Sequence, residues 1–219
     1  MIVYGRNPVR EARRGPRAVR RVWTAEEVGP AELERLCGSP DHQGVCAEVE
    51  DYRYADADSL LDAADALVVC LDQVQDPHNL GAVCRVAEVA GAAGVVMPER
   101  RSAEVTAAVC KSSAGAVEHL RVARVRNLAD WLAQAKEAGA WIYGADAAGE
   151  PYARPDYGGR VVLVLGGEGR GLRPRVAAAC DALVALPVRG RVESLNIATA
   201  AAALVYGILQ SRERLDRAP

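Results

Sequence analysis

From Ala66 onward, short apolar runs rich in β-branched residues alternate with Ala- and Leu-rich stretches of helical period. The runs ALVVCLD, GVVMP, AWIYGAD, RVVLVLG and DALVALP read as strands. Between and after them, LGAVCRVAEVAG, SAEVTAAVCKSSAG, NLADWLAQAKEAG and SLNIATAAAALVYGILQSR read as helices. Strands that are apolar throughout, instead of alternating with polar residues, are buried on both faces, and strand–helix alternation makes the sheet parallel. The last helix carries Leu195, Ile197, Ala198, Ala201, Ala202, Leu204, Val205, Ile208 and Leu209 around most of its circumference. It is therefore expected to be buried by its own domain or by a partner. The stretch up to about Tyr54 reads differently: Pro16, Gly29, Pro30, Gly38, Pro40 and Gly44 break it into short elements, with one predicted strand from Gln43 to Val49. The expectation is a small module over residues 1–55, joined through the acidic segment DYRYADADS to an α/β domain over residues 62–219.

Composition narrows the class. With 219 residues, 50% hydrophobic and 26% charged, the chain can bury one core plus a small appendage. No apolar run approaches the roughly 18 residues of a membrane span, and MIVYGRNPVREARRG turns charged too early for a signal peptide, so a soluble cytoplasmic protein is expected. Six cysteines never form a C-x-x-C pair, and the three histidines are scattered, which disfavours a disulfide framework or a zinc site and leaves metal-free chemistry. A net charge of -2 gives no global argument for nucleic acid. Locally, however, Arg6, Arg10, Arg13, Arg14, Arg17, Arg20 and Arg21 crowd the start of the chain. They form either a basic patch for a phosphate backbone or a solvated face in a chain that uses arginine in preference to lysine.

Ligands of open parallel sheets bind at the carboxyl ends of the strands, so the segments after the strands carry the chemistry. In LDQVQDPHNLGAVCR, Asn79 suits either a helix N-cap or a site, while Arg85 sits in an apolar helix where its guanidinium must reach an anion or solvent. GGEGRG, from Gly166 to Gly171, follows a strand but has neither a P-loop ending nor dinucleotide spacing, and Glu168 would repel a phosphate. A phosphate-free ligand or a plain tight turn fits it. In LPVRGRVESLN, Ser194 and Asn196 are well placed as caps of the last helix and also complete a pocket at the same sheet edge. The missing glycine fingerprint after the first strand argues against a nicotinamide-dependent oxidoreductase.

In this order and at these separations, DPHNLGAVCRVAE, LVLGGEGRGL and LPVRGRVESLNIATA resemble the three motifs of the SpoU (TrmH-like) methyltransferases. The resemblance covers about residues 66 to 212. DHQGVCAEV resembles the end of the RNA-binding N-terminal domain found in the subfamily that methylates guanosine in large-subunit ribosomal RNA. The resemblance implies a parallel-sheet SPOUT methyltransferase domain with a C-terminal trefoil knot, preceded by a shortened α/β RNA-binding domain. It also implies an S-adenosylmethionine-dependent RNA ribose 2'-O-methyltransferase acting as a homodimer through the last helix. A transfer-RNA enzyme and a non-catalytic RNA-binding member are the alternatives. Carried over by motif, Asn79, Arg85, Glu168, Ser194 and Asn196 are catalytic positions, and Gly166, Gly167, Leu186 and Leu195 contact the cofactor. Arg6, Arg13, Arg17 and Arg20 are the expected RNA contacts on the N-terminal module. Between Trp23 and Asp41 this module has little apparent room for the usual pair of helices and strand.

Overall fold

The structure, a computed structural model, describes residues 1–167, 169, 171–192 and 194–215. Its N-terminal part is built on a small antiparallel sheet. β1 (Ile2–Tyr4) leads into α1 (Arg6–Ala12), and β2 (Val19–Thr24) into α2 (Ala25–Val28) and α3 (Pro30–Cys37). β3 (Val45–Val49) lies between the other two strands, in the order β1-β3-β2. The strand expected near residues 43–49 is β3. β1 and β2 escaped the sequence reading because three residues are too few for a period, and because VRRVWT places two arginines side by side. Both helices also fit between Trp23 and Asp41: α2 is a single turn closed by a Thr24–Glu27 capping box, and Pro30 starts α3 immediately afterwards.

The larger part follows the predicted alternation and adds a strand, β6, and a short helix, α7, that the sequence pattern did not show: β4 (Leu67–Asp72), α4 (Pro77–Val89), β5 (Gly94–Pro98), α5 (Ala107–Ser112), β6 (Val122–Val125), α6 (Leu128–Glu137), β7 (Trp141–Pro151), β8 (Val161–Gly166), α7 (Pro174–Ala179), β9 (Ala182–Ala185) and α8 (Ile197–Leu215). The six strands form one parallel sheet in the order β6-β5-β4-β8-β7-β9. All six residues of β4 are buried. By the two-residue strand period, Leu67, Val69 and Leu71 face one apolar layer with α4, α5 and α8. Val68 and Cys70 face the other, with Leu128, Trp131 and Leu132 of α6 and Val176 of α7. Among the described residues no helix is long and apolar enough to cross a membrane.

The N-terminal sheet is fastened to this domain. Val3, Val9, Ala12, Ala47 and Val49 belong to the same apolar cluster as Leu67, Val69 and Leu71 of β4, so the core is continuous across the two sheets. The connecting segment is also held in place: Ala55 bridges to Ala123, Tyr52 Oη donates to the Leu120 carbonyl at 2.9 Å, and Tyr54 Oη accepts from Val105 N at 2.9 Å. Between the two parts lies a buried ion pair. Arg17 Nε donates to Glu118 Oε2 at 2.8 Å, Nη2 donates to Glu118 Oε1, and Nη1 donates to the Glu50 carbonyl at 2.8 Å. Burial, with the Glu118 carboxylate close by, pushes the adjacent Cys110 thiol up to about 12.

Removing one partner of such a buried pair costs about 3–5 kcal/mol, so Glu118→Ala should lower the urea midpoint strongly, whereas Arg17→Met with Glu118→Leu should recover most of the loss. At the α4–α5 contact, a Cβ on Gly81 would lie 1.9 Å from Ser112 Oγ. Gly81→Ala should therefore destabilise by about 1–3 kcal/mol through overpacking, despite its better helix propensity, as read by equilibrium unfolding.

Candidate active site

Because every side chain of the central strand β4 is buried, polar groups collect where the strands end. β4 ends at Asp72, which is 1% exposed. Its carboxylate accepts from Arg173 N at 2.9 Å and pairs with Arg173 Nε at 2.7 Å. An unpaired carboxylate there would carry a large desolvation cost, so this pair pins the segment after the glycine loop against the exit of β4. The sequence reading missed the pair. Its signal was an acid ending a wholly apolar strand, but the partner lies 101 residues away.

A cleft of about 620 Å³ opens between the middle of β7, the ends of β8 and β9 and the start of α8. All four expected cofactor contacts, Gly166, Gly167, Leu186 and Leu195, border it, as do Ser194 and Asn196. Side chains are excluded from its glycine wall: a Cβ on Gly166 would sit 2.2 Å from the Gly171 carbonyl carbon, and one on Gly167 would sit 3.0 Å from the Gln73 carbonyl oxygen. The turn closes through Gly171 N donating to the Gly167 carbonyl at 3.1 Å. Leu186, Leu195, Ile197 and Leu204 supply apolar surface, and Asp146 is the only charged side chain among the described lining residues. The volume is in the range of small-molecule sites. A backbone-lined apolar cleft with one carboxylate suits an uncharged aromatic group and a cation, and is poorly matched to a phosphate. S-adenosylmethionine, an adenine nucleoside carrying a sulfonium, therefore fits the residues present.

A second cavity of about 1030 Å³ meets the first at Gly167 and Gly171 and is bordered by Asp72, Gln73, Asp76, Asn79, Arg101 and Arg173. A hydrogen bond links the two walls: Asn196 Nδ2 donates to Asn79 Oδ1 at 2.9 Å, across 117 residues of sequence. The capping role at α4 differs from the one the sequence suggested, and at α8 one of the two suggested caps is used. Asp76 caps α4 by accepting from His78 N at 2.9 Å, which leaves Asn79 as the third helical residue, buried at 8% exposure. At α8, Asn196 does the capping, since its Oδ1 accepts from Ala198 N at 2.9 Å, while Ser194 stands two residues earlier on the rim of the cleft. Both asparagines are thus held by helix starts as well as by each other.

The remaining expected residues scatter. Glu168 lies outside the described residues. Arg85 is exposed, borders neither cavity and makes no ion pair among the described residues. Six positions after Asn79, it lies about 120° around α4 and about 9 Å along it. In the N-terminal part, Arg6 donates through Nε to the Gln43 carbonyl, Arg13 is exposed, and Arg20 lies 3.8 Å from Glu48. Arg17 departs from the expected RNA-contacting set because its guanidinium is buried against Glu118. Among the described residues no cluster of metal-ligating side chains occurs, and all six cysteines are free.

Two family models match the chain. One, described as the SpoU rRNA Methylase family, matches residues 66–206; the other, described as RNA 2'-O ribose methyltransferase substrate binding, matches residues 24–55. A Bacillus subtilis protein, YacO, named for the TrmH family of tRNA/rRNA methyltransferases, is 39% identical over 96% of this chain and 95% of its own length. Among solved structures, the SpoU methyltransferase AviRb from Streptomyces viridochromogenes, in complex with AdoMet, is 26% identical. It superposes with a TM-score of 0.80 over 98% of this chain and 90% of its own. An AdoMet-bound rRNA methyltransferase from Sinorhizobium meliloti is 25% identical, with a TM-score of 0.83 over 98% of this chain and 87% of its own. The family model spans the three loops that form the two joined cavities, and with that coverage the chain belongs to the SpoU family of RNA methyltransferases.

Proposed function

We propose that the chain transfers the methyl group of S-adenosylmethionine to a ribose 2'-hydroxyl of RNA, at a guanosine in 23S ribosomal RNA, as a cytoplasmic homodimer. The observation that carries this reading is the Asn79–Asn196 bond between a cleft fitted to the cofactor and a larger polar cavity open to a polymer. When bound, the cofactor supplies a sulfonium methyl group. The cleft's glycine backbone, Leu186 and Leu195 hold and orient it, and Asn196, anchored by its cap bond, fixes the boundary where an acceptor hydroxyl must approach. Proximity and alignment are the main catalytic resource of such a direct transfer.

In this reading residues 1–55 form the RNA substrate-binding module and residues 62–219 the knotted, cofactor-binding catalytic domain. The return of α8 over α4 and β8, behind the cleft loops, supports the trefoil knot. A guanidinium is a poor general base and a good phosphate fork, so the role of Arg85 is to clamp the phosphate of the target nucleotide and polarise the hydroxyl. Its exposure beyond both cavities of its own chain supports a homodimer that brings Arg85 to the partner's site through the outer faces of α4 and α8. Val89 and Tyr206 on those faces are 64% and 49% exposed. Ser194 and Glu168 complete the catalytic set.

Labelled S-adenosylmethionine incubated with total RNA from a strain lacking the gene, followed by mapping of ribose methylation, tests the function. A single labelled guanosine in 23S RNA is expected; label in transfer RNA would move the substrate, and no label with intact cofactor binding would favour a non-catalytic binding role. In the same assay Asn196→Ala should lose about 10²-fold in kcat by misplacing the reacting groups. Arg85→Lys should keep cofactor affinity and lose RNA affinity together with rate, because a lysine cannot make the forked phosphate contact. Near wild-type transfer by Arg85→Lys would rule out the clamp.

A further inference from the structure

Past the cavity at Asn79, the same sheet edge continues into a groove of about 810 Å³ that shares Gln73, Arg101, Arg173 and Pro174 with it. Arg100 and Arg101 follow β5, Arg126 follows β6, Arg173 immediately precedes α7 and Arg175 lies in its first turn. Two of these five arginines have acidic partners: Arg173 is paired with Asp72, and Arg175 lies 3.6 Å from Asp130. Arg100, Arg101 and Arg126 are exposed and make no ion pair among the described residues. Nearby Glu99 is exposed, and Glu104 is already bound to Arg124 at 3.1 Å. Three uncompensated guanidinium groups thus stand along one edge of a chain whose net charge is -2.

The loop that carries two of them is strained. Arg101 has φ 60, a left-handed conformation that non-glycine residues rarely hold, and the neighbouring Ser102 hydroxyl is shielded from solvent without a hydrogen-bond partner among the described residues. Such costs persist where the surrounding structure holds a residue for a task, and here they keep Arg101 at the junction of groove and cavity. We infer that Arg100, Arg101 and Arg126 form a track for the phosphates of the RNA strand flanking the target nucleotide. The inference rests on the RNA-methyltransferase reading. A polymer that seats one ribose near Asn79 must lay its neighbouring phosphates along an opening continuous with that cavity, and guanidinium forks suit phosphate oxygens. Of the N-terminal arginines, Arg17 is unavailable to RNA because it is committed to Glu118.

The test compares wild type with the combined Arg100→Gln, Arg101→Gln and Arg126→Gln variant. The control is Arg121→Gln, whose residue precedes β6 and so lies at the opposite, amino edge of the sheet. Binding of a fluorescein-labelled single-stranded RNA is measured by anisotropy across a potassium chloride series, S-adenosylmethionine binding by calorimetry, and methyl transfer separately. The combined variant should bind RNA about tenfold or more weakly, and its log–log salt slope should fall by about 2, at about 0.7 per phosphate contact. Cofactor affinity and the Arg121→Gln control should stay at wild-type values. Unchanged RNA affinity and slope in the combined variant, or an equal loss in the control, would overturn the track. Should the combined variant lose its fold, Arg126→Gln alone decides, with an expected slope change of about 0.7. If wild type bound RNA through the groove yet transferred no methyl group, the track would stand and the methyl-transfer reading would fail.

Discussion

Everything in this molecule depends on a parallel sheet buried on both faces. A strand such as β4, with all six residues out of solvent, has no lateral surface to give to a ligand, so chemistry can be placed only where the strand ends. The carboxyl edge is consequently crowded: Asp72, the glycine turn after β8, Leu186 and the start of α8 converge there, and the two cavities are what remains between them. Packing of α4, α5 and α8 on one face and α6 and α7 on the other fixes the sheet, and the fixed sheet fixes the loops.

Polar groups at this edge are held by reciprocal constraints rather than by single contacts. Asp72 is tolerable in its buried position because Arg173 meets it with both a backbone and a side-chain donor. Asn196 has one amide atom committed to the α8 cap and the other to the buried Asn79, so neither asparagine can rotate without losing a bond. That stiffness suits a reaction whose demand is alignment. The glycine wall works by subtraction: Gly166 and Gly167 bring main chain to the cleft surface at separations too short for a Cβ to fit without a shift.

The N-terminal part is joined to the same framework. The Arg17–Glu118 pair, the edge-packed Tyr52 and Tyr54, and a continuous apolar cluster make the first sheet an extension of the catalytic layer. An arginine that looks in sequence like one more member of a basic patch is here a structural strut. Free cationic surface is also found beside the active-site cavity, on the loops after β5 and β6.

Local patterning was enough to establish the strand–helix alternation, the parallel sheet and the three loops, because burial on both strand faces and helical period are written within a few residues, whereas the glycine, leucine and asparagine positions at the cleft were given by the resemblance of those loops to the family's motifs. It left β1, β2, β6 and α7 hidden, since elements of three to six residues, most of them interrupted by arginine, carry too little periodic signal. Which charges and amides meet was settled only by folding. Asp72 and Arg173, Asn79 and Asn196, and Arg17 and Glu118 are each separated by more than 100 residues, and no local pattern records which distant groups a fold will bring within 3 Å. Folding also assigned the caps, giving Asp76 the role that spacing had offered to Asn79 and choosing Asn196 over Ser194 at α8, because a helix starts where packing lets its first turn form.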